Sequence, residues 1–475
     1  MSNIFIFHRD LRLVDNTTLI HQCLETKEHI IPIFIFTPEQ IEKTKNKYFS
    51  NNSVQFMMES LLELSNEIAK KGGSLYFFKG DTINMLKKIH QKISIKTIGY
   101  NIDYTPYARK RHETIKKWCE SSNITLYCKE DYPLYDFMEG QTLKKDKKPY
   151  LVYTPFMRFV STSLKVRPVN TYSKFQFEKK STLDSFSLKE SSLKQFYFPN
   201  ENINVKGGRK EGQIILDNLG KFKDYVKKRN ELTYQTTKLS AYLHYNTNSI
   251  REVHSTIVKK LGKSSGIVRE LIFRDFYMNI VYYFPHTLDG QIKKGGNKSF
   301  RPEYDKIQWN KNSAMLEKWK NGKTGFPVVD AAMMQMNTTG YMHNRCRMIV
   351  SNFLVKDLHL DWKLGEQYFA QTLEDYDPIN NSSGWQWSTG NGTDAQPYFR
   401  IFNPWTQQKD YDSQCEYIKH WIPDLKDVVA NDIHKWWDKT TRDKYPSVAY
   451  PPPCVEHDVE RKKTLEMYKK YLTSK

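Results

Sequence analysis

The sequence predicts a two-part protein: an α/β domain with a Rossmann-like parallel sheet, then an all-α domain. Over the first 130 residues, short apolar β-type runs alternate with amphipathic stretches of helical spacing. That is the rhythm of a parallel sheet with crossover helices. From about residue 210 the alternation stops and helical spacing takes over. Between the two lies a stretch with neither rhythm. At 475 residues the chain is long enough for two or three ordinary domains, each with its own core.

Strands are predicted over residues 4–7, 30–36, 74–78 and 97–101, which are short, apolar and rich in β-branched or aromatic residues. Helices are predicted between them over 54–71 and 82–91. No GxGxxG turn is present, so motif gives this domain no support as a nucleotide site. Residues 131–205 hold a lysine cluster at 144–148 and scattered Ser, Phe and Lys, and they end near Gly207 and Gly208. They read as an interdomain connector laid over the surface, with local helix around 155–163. The cluster is interrupted by Asp146 and followed by Pro149, which suits a solvated turn better than an import signal. Helical spacing then covers 211–230, 250–260, 266–283, 328–337, 343–360 and 365–375. The expected domains are therefore 1–130, 131–205 and 206–475. No internal repeat or low-complexity tract interrupts them.

The formal net charge is +20, which points to an acidic partner, nucleic acid being the commonest. Lysine drift in an AT-rich genome is the alternative, in keeping with the many Asn and Lys residues. Six cysteines (Cys23, Cys119, Cys128, Cys346, Cys415 and Cys454) are scattered without CxxC or metal-type spacing. They suit a reducing compartment, with no metal site expected. The N-terminal apolar run is cut at once by His8, Arg9 and Asp10, too short and too charged for a signal peptide or a membrane span. An intracellular, soluble protein, in cytoplasm or nucleus, is expected. Of ten tryptophans only Trp118 precedes Trp309. Such crowding suits either a large helical core or a site that uses ring π-systems.

Three stretches are distinctive: FHRDLRLVDNTTL at the N-terminus, RELIFRDFY at 269–277, and the run from TGFPVVDAAMMQMNTTGYMHNRCRM through NNSSGWQWSTGNGTDAQPYFRIFNP. Together they closely resemble the photolyase/cryptochrome family, and within it the class I enzymes acting on cyclobutane pyrimidine dimers (CPD) in DNA. The resemblance covers essentially the whole chain, loosely before residue 200 and very specifically over 320–405. It implies a U-shaped FAD in the helical domain, UV-damaged DNA as partner, and a monomer.

By residue-wise match, Tyr225, Thr236, Thr237, Lys238, Leu239 and Ser240 stand where the family holds the FAD diphosphate, with Arg274 also in the cofactor set. Hydroxyls and backbone N–H groups at a helix start suit a phosphate. Read locally, TTKLS is simply a good N-cap. Arg347, Asp375, Asp377 and Asn381 match positions around the flavin ring. The resemblance implies an Arg347–Asp375 pair, with Asp377 accepting from ribose or ring N–H. Locally, the two carboxylates of LEDYDPINN could equally be turn formers. Asn381 matches the position facing flavin N5, where a neutral amide tolerates a reduced, anionic ring. Plant cryptochromes place an Asp there, which favours a neutral, half-reduced flavin.

Trp385, Trp362 and Trp309 coincide with the family's electron-relaying tryptophan chain, although any lone Trp is more often a core residue. Glu270, Phe273, Asn344, Met348 and Trp387 match the lesion pocket. Glu270 would hydrogen-bond the base edge of the dimer, and Trp387 would stack on a dimer flipped out of the duplex. Many relatives have Trp where this chain has Phe273, which offers less stacking area. Arg229, Arg345 and Gln407 match contacts to the DNA backbone or the pocket rim. Relatives that repair (6-4) photoproducts use a histidine pair in the segment corresponding to 341–345; YMHNR has one, so the general acid is not evident. Residues 100–111, YNIDYTPYARKR, resemble the turn beside a second, antenna chromophore: a folate, a deazaflavin or a flavin nucleotide.

The resemblance thus implies light-driven CPD repair by electron transfer from reduced FAD, a deoxyribodipyrimidine photo-lyase activity. One rival is a cryptochrome-type blue-light sensor, disfavoured by Asn381, the lesion set and the lack of a long tail beyond the matched region. The other is a basic DNA-binding protein that has lost the flavin, disfavoured by the complete set at Arg347, Asp375 and Asp377.

Overall fold

The computed structural model describes residues 1–179, 181–291 and 296–472; residue 180 of the expected connector, and 292–295 and 473–475 of the expected helical domain, lie outside them. Five strands, β1 (Ser2–Phe7), β2 (Ile30–Phe36), β3 (Tyr76–Lys79), β4 (Ile95–Ile102) and β5 (Thr125–Glu130), form one sheet in the order β3-β2-β1-β4-β5. Every neighbouring pair is parallel. Because side chains alternate along a strand, the sheet has a phenylalanine face and an isoleucine face. Phe5, Phe7, Phe34, Phe36 and Phe77 pack with α1 (Thr17–Thr26) and α2 (Asn51–Lys70). Ile4, Ile6, Ile31, Ile33 and Ile35 pack on the other side with Leu86 and Ile89 of α3 (Thr82–Ile93) and Ile115 of α4 (Pro106–Ser121). The four expected strands are present, and β5 is a fifth. It escapes a hydrophobicity reading because it is an edge strand whose sequence, TLYCKE, is only partly apolar.

The connector departs from expectation. It carries the expected helix (Tyr153–Ser163), but it does not merely lie on the surface. Tyr132, Leu134, Phe137, Phe156, Phe175, Phe177, Leu193 and Phe196 are buried in the same core as the phenylalanine face of the sheet. Ile30 N donates to Gln176 O (2.9 Å), and Leu188 N donates to Phe77 O (2.7 Å). The latter bond covers the β3 edge, which would otherwise offer open pairing groups.

Beyond residue 208 the chain is helical. The helix expected over 211–230 is broken into Arg209–Asp217, a 3-10 turn at Leu219–Phe222 and Tyr225–Lys228, with Asn218 and Gly220, poor helix formers, at the break. Four longer helices matter here: α5 (Gly266–Tyr283), α6 (Asn344–Lys356), α7 (Trp362–Thr372) and α8 (Pro378–Thr389). α5 packs into the core shared with the α/β domain, whereas α6, α7 and α8 contribute to a second, tryptophan-rich core.

The two halves are joined by buried charge. Arg12, Asp15, Asp131 and Arg251 are each at most 4% exposed. Arg12 Nη2 lies 2.7 Å from Asp131, Arg251 Nη2 2.8 Å from Asp131, and Arg251 Nε 2.7 Å from Asp15. The remaining guanidinium donors bind carbonyls of Val14, Asp15, Asp131 and Asn246. Burial opposes ionisation of Asp131, but the two guanidiniums and Thr17 hold its carboxyl far below the usual range. Asp131→Ala would leave the buried Arg12 without its carboxylate and Arg251 with Asp15 alone. We expect it to lower the unfolding free energy by about 3–5 kcal/mol, seen as a lower urea midpoint at unchanged slope.

Candidate functional site

A cavity of about 650 Å³ opens where the two cores meet. Three helices supply most of its wall, each with one stripe at the i, i+3/i+4, i+7 spacing that puts side chains on one face. From α5 come Ile267, Glu270, Leu271, Phe273, Arg274 and Tyr277; from α6, Asn344, Arg345, Arg347, Met348 and Ser351. From α8 come Asn380, Asn381, Gly384, Trp385, Trp387 and Ser388. Tyr225, Arg229 and the whole of Thr236, Thr237, Lys238, Leu239 and Ser240 close another side. Of the residues expected at the site, only Trp309, Trp362 and Gln407 are off this wall.

The helices start where their caps dictate. Asp377 Oδ1 accepts from Asn380 N (2.8 Å), Pro378 occupies the first turn of α8, and Gly390 ends it in the left-handed region at φ 94°. Asp377 Oδ2 faces the opposite way, 3.2 Å from His244 Nδ1 and 3.5 Å from Arg9 Nη1. Burial opposes its charge, yet His244, Arg9 and Arg274 hold it well below the usual carboxylate range. Arg347 Nη2 lies 2.9 and 3.1 Å from the two oxygens of Asp375, so the expected pair exists. The local reading of TTKLS as an N-cap does not hold. The cap of the short helix Ser240–His244 is Leu239, which has no side chain to donate or accept. The hydroxyls of Thr236, Thr237 and Ser240 line the cavity instead, with Thr236 3.1 Å from the Tyr341 hydroxyl.

Asn381 Nδ2 donates to Glu366, 3.0 Å to the carbonyl and 3.1 Å to Oε1. With both amide hydrogens directed there, Oδ1 is the polar atom left for the cavity. Burial pushes the Glu366 carboxyl up to about 8, despite hydrogen bonds from Asn381 and Tyr48.

At the mouth, Arg229 Nη1 donates to Glu270, each side chain being about two-fifths exposed. Burial raises the Glu270 carboxyl, partly offset by Arg229 and Arg269. Phe273 is backed by Tyr153 from the connector, ring centroids 4.2 Å apart, and by Tyr277 at 5.0 Å. A second aromatic ring therefore supports the position where the chain has Phe rather than Trp. Arg345 stacks on Tyr411 at 4.5 Å and donates to Asn230 at 2.8 Å. Gln407 lies one turn before Tyr411 on the helix Pro404–Tyr411, behind that rim. His343, the one histidine of YMHNR, does not line the cavity: its Nδ1 accepts from Arg345 N to cap α6. Burial, with Arg347 and Arg345 nearby, pushes it down to about 4.

Trp385 stands in the cavity wall with a buried Nε1 that has no protein partner, its ring lodged against Gly365 of α7 and edge-on to Phe369. Trp362 opens the same helix and is fully buried. Trp309 is half-buried on the outer side of this core, edge-on to Tyr468 at 6.3 Å.

A second cavity, of about 270 Å³, lies at the carboxyl ends of β1, β2 and β4, in the crevice where the strand order reverses and α/β sheets bind ligands. His8, Arg9, Gln40, Asp103, Tyr107 and Arg111 line its sheet side, and His244, Tyr245 and Tyr376 its helical side. His244 and Tyr376 line both cavities. Residues 100–111 are thus placed at a pocket, as expected. The sequence reading missed Tyr277, which the 270, 273–274, 277 spacing could have flagged, and Arg9 and His244, which reach the site only through tertiary structure.

A parallel α/β domain docked on a helical domain that holds a cavity of about 650 Å³ defines a two-domain protein with room for a large cofactor. The family model described as the FAD binding domain of DNA photolyase matches residues 267–470, and that described as DNA photolyase matches 3–173. Deoxyribodipyrimidine photo-lyases of Alkalihalophilus pseudofirmus and Escherichia coli are 33% and 32% identical, over 98% and 97% of this chain and 97% of each relative. The archaeal photolyase from Sulfolobus tokodaii, whose crystal structure has two FAD molecules, is 36% identical with a TM-score of 0.85, over 99% of this chain and 100% of that one. A class III photolyase from Agrobacterium tumefaciens is 27% identical with a TM-score of 0.89, over 100% and 98%. The chain belongs to the photolyase/cryptochrome family, and its helical half carries that family's FAD-binding domain.

The residues present fit FAD. A Cβ added at Gly384 would meet nothing within 4 Å beyond its own helix backbone and would stand in the cavity, and Trp385 Nε1 is buried there without a protein partner. Among the described residues no helix is long and apolar enough to cross a membrane.

Because the folded state binds the Glu366 proton more tightly than the unfolded chain does, wild-type stability should fall as pH rises from about 4.5 to about 8. Glu366→Gln removes that group's share of the slope, while Glu374 and Asp275 keep theirs. Thermal unfolding across this range should show the variant matching wild type near pH 4.5 and exceeding it at pH 8; parallel curves would refute the assignment.

Proposed function

We propose that this chain is a deoxyribodipyrimidine photo-lyase that repairs cyclobutane pyrimidine dimers in DNA under blue light, acting as a monomer inside the cell. The observation that carries the reading is that the flavin-facing and lesion-facing sets line one cavity, with Trp385 in its wall and Glu270 at its mouth. The names and near-complete coverage of the relatives support it.

When bound, reduced and light-excited FAD supplies one electron to the dimer and recovers it after the cyclobutane ring splits, with no net redox change. The chain's residues bind, orient and exclude water. Tyr225, Arg274 and the hydroxyls and backbone of 236–240 hold the diphosphate end. Arg347–Asp375 and Asp377 flank the ring, and Asn381 offers Oδ1 as an acceptor at its N5 edge without adding negative charge. Phe273, Met348 and Trp387 give the dimer apolar walls, while Asn344 donates and accepts at its base edge. A base edge can replace Arg229 as the partner of Glu270, which releases Arg229, beside Arg345 and Gln407, to phosphate. Trp385, Trp362 and Trp309 relay electrons inward to reduce an oxidised flavin. The second cavity takes a planar antenna chromophore among Tyr48, Tyr107 and Tyr376.

The sensor reading is weaker, because Asn381 and the lesion set have no role in it. Repair of (6-4) photoproducts is disfavoured by His343, which is buried as a cap and pushed down to about 4.

The deciding measurement is light-dependent repair of a defined thymine dimer by the purified flavoprotein; an intact dimer after illumination sinks the proposal. Glu270→Ala should lose one charged hydrogen bond, about 1.5–3 kcal/mol or roughly 10- to 100-fold in damaged-DNA affinity, and full retention would remove its assigned role. Trp362→Phe should block photoreduction by an external thiol yet leave repair intact once the flavin is reduced chemically. Repair lost in both conditions would contradict a relay confined to photoreduction.

A further inference from the structure

We propose that Arg9, in the α/β domain, is a positioning residue for the flavin site: it clamps Asp377 of the helical domain, so that the N-terminal domain braces one wall of the FAD pocket from behind. The proposed light chemistry leaves the FHRDLR motif that contains it without a part. Arg9 follows β1 directly, and Asp103 follows the neighbouring strand β4, so the sheet delivers the two side by side. Arg9 Nε and Nη2 each lie 2.8 Å from a different oxygen of Asp103, a bidentate pair that fixes the guanidinium plane. The third nitrogen, Nη1, points across the domain boundary, 3.4 Å from His244 O and 3.5 Å from Asp377 Oδ2. Tyr132 lies under the guanidinium at 4.2 Å. Arg9 and Asp377 are 11% and 12% exposed, so water screens this contact little.

The charge arrangement gives Arg9 something to do. Asp377 has one oxygen committed to the N-cap of α8, and the other lies within 3.5 Å of His244 and Arg9, with the Arg274 guanidinium acting on it from further off. Turning that carboxylate away from the cap would unseat the start of the helix that carries Asn381, Gly384 and Trp385. Arg9 supplies a permanent cation in direct contact with this oxygen, whereas Arg274 acts without a contact and His244 is charged only if protonated. Lysine cannot take its place, because a single ammonium cannot grip both oxygens of Asp103 and still present a donor to Asp377.

The inference rests on the proposed role of Asp377 in holding FAD, and the two are tested together but fail separately. FAD is titrated into full-length apoprotein, and the flavin bound by the helical-domain cavity is taken as the part abolished by Gly384→Leu. Arg9→Gln should weaken that binding at least tenfold, and Arg9→Lys should fall between Arg9→Gln and wild type. Asp377→Asn should also weaken it, and adding Arg9→Gln to Asp377→Asn should cost little more, because Arg9 acts through the carboxylate. Wild-type affinity in Arg9→Gln, or full additivity in the double variant, overturns the role of Arg9 and leaves that of Asp377 standing. Wild-type affinity in Asp377→Asn overturns both. If Arg9→Gln is not recovered folded, Arg9→Lys decides: a measurable loss supports the clamp, and an unchanged dissociation constant ends it.

Discussion

The two guanidiniums and two carboxylates of Arg12, Arg251, Asp15 and Asp131 fix everything downstream of them. Four buried charges carry a large desolvation cost, and their mutual attraction offsets it only because nearly every remaining donor and acceptor is satisfied by backbone or hydroxyl groups. Ser249, which caps the helix Ile250–Leu261, also donates to Asp15. The lattice therefore ties the loop after β1 and the end of β5 to one helix of the other domain. A hydrophobic interface could slide by a few tenths of an ångström at small cost, whereas this one has a single register. Leu11 N donating to Tyr245 O at 3.0 Å fixes the same junction through the backbone. Only with that register set can Arg9, three residues before Arg12, be aimed at Asp377.

From the junction, the cavity follows by packing. α5 is buried nearly all round, with Arg274 and Asp275 inside the fold. Arg274 spends donors on the carbonyls of Tyr132 and Leu243, and Asp275 accepts from the N–H groups of Leu134 and Tyr135. Burial pushes Asp275 up to about 7, so this helix holds the connector with a carboxyl that is neutral in part at physiological pH. Glu374, pushed up to about 8 by burial, does the same for Asn204 and Val205 behind the Asp375 wall. The cofactor cavity is thus surrounded by side chains that are fixed before any ligand arrives.

Much of this was legible in the chain. The strand rhythm was carried by Ile and Phe alternation, and α5 was bounded correctly because Ser265 and the apolar run leave little choice. The cavity set was legible through resemblance, and its helical spacing explains why the resemblance works: residues three and four apart on α5, α6 and α8 must share a face. What stayed hidden was whatever depends on distant segments meeting. Nothing local distinguishes Arg9 as a partner of Asp377, 368 positions away in sequence, or Phe177 as a strand-like pair of Ile30. TTKLS looked like a cap because hydroxyls favour caps; in the fold the cap fell on Leu239 and left the hydroxyls free. YMHNR was legible as lacking the histidine pair, but that its one histidine, His343, caps α6 was not.

The same wall is built to two standards of strength, and the difference has a functional logic. At its base, the carboxylates of Asp375 and Asp377 are largely shielded from water and multiply hydrogen-bonded, so breaking a contact leaves a charge in a poorly solvated place. At its mouth, Arg229 and Glu270 are about two-fifths exposed, and such pairs are worth only about 0–1 kcal/mol. Exchanging Arg229 for a base edge therefore costs Glu270 little, while exchanging a partner of Asp377 would cost the pocket its shape. A site that must keep its cofactor through many turnovers, yet release each DNA, needs that gradient. Here it follows from burial, because the base of the cavity is backed by packed side chains, Arg9 of the α/β domain among them, and the mouth is formed by side chains facing solvent.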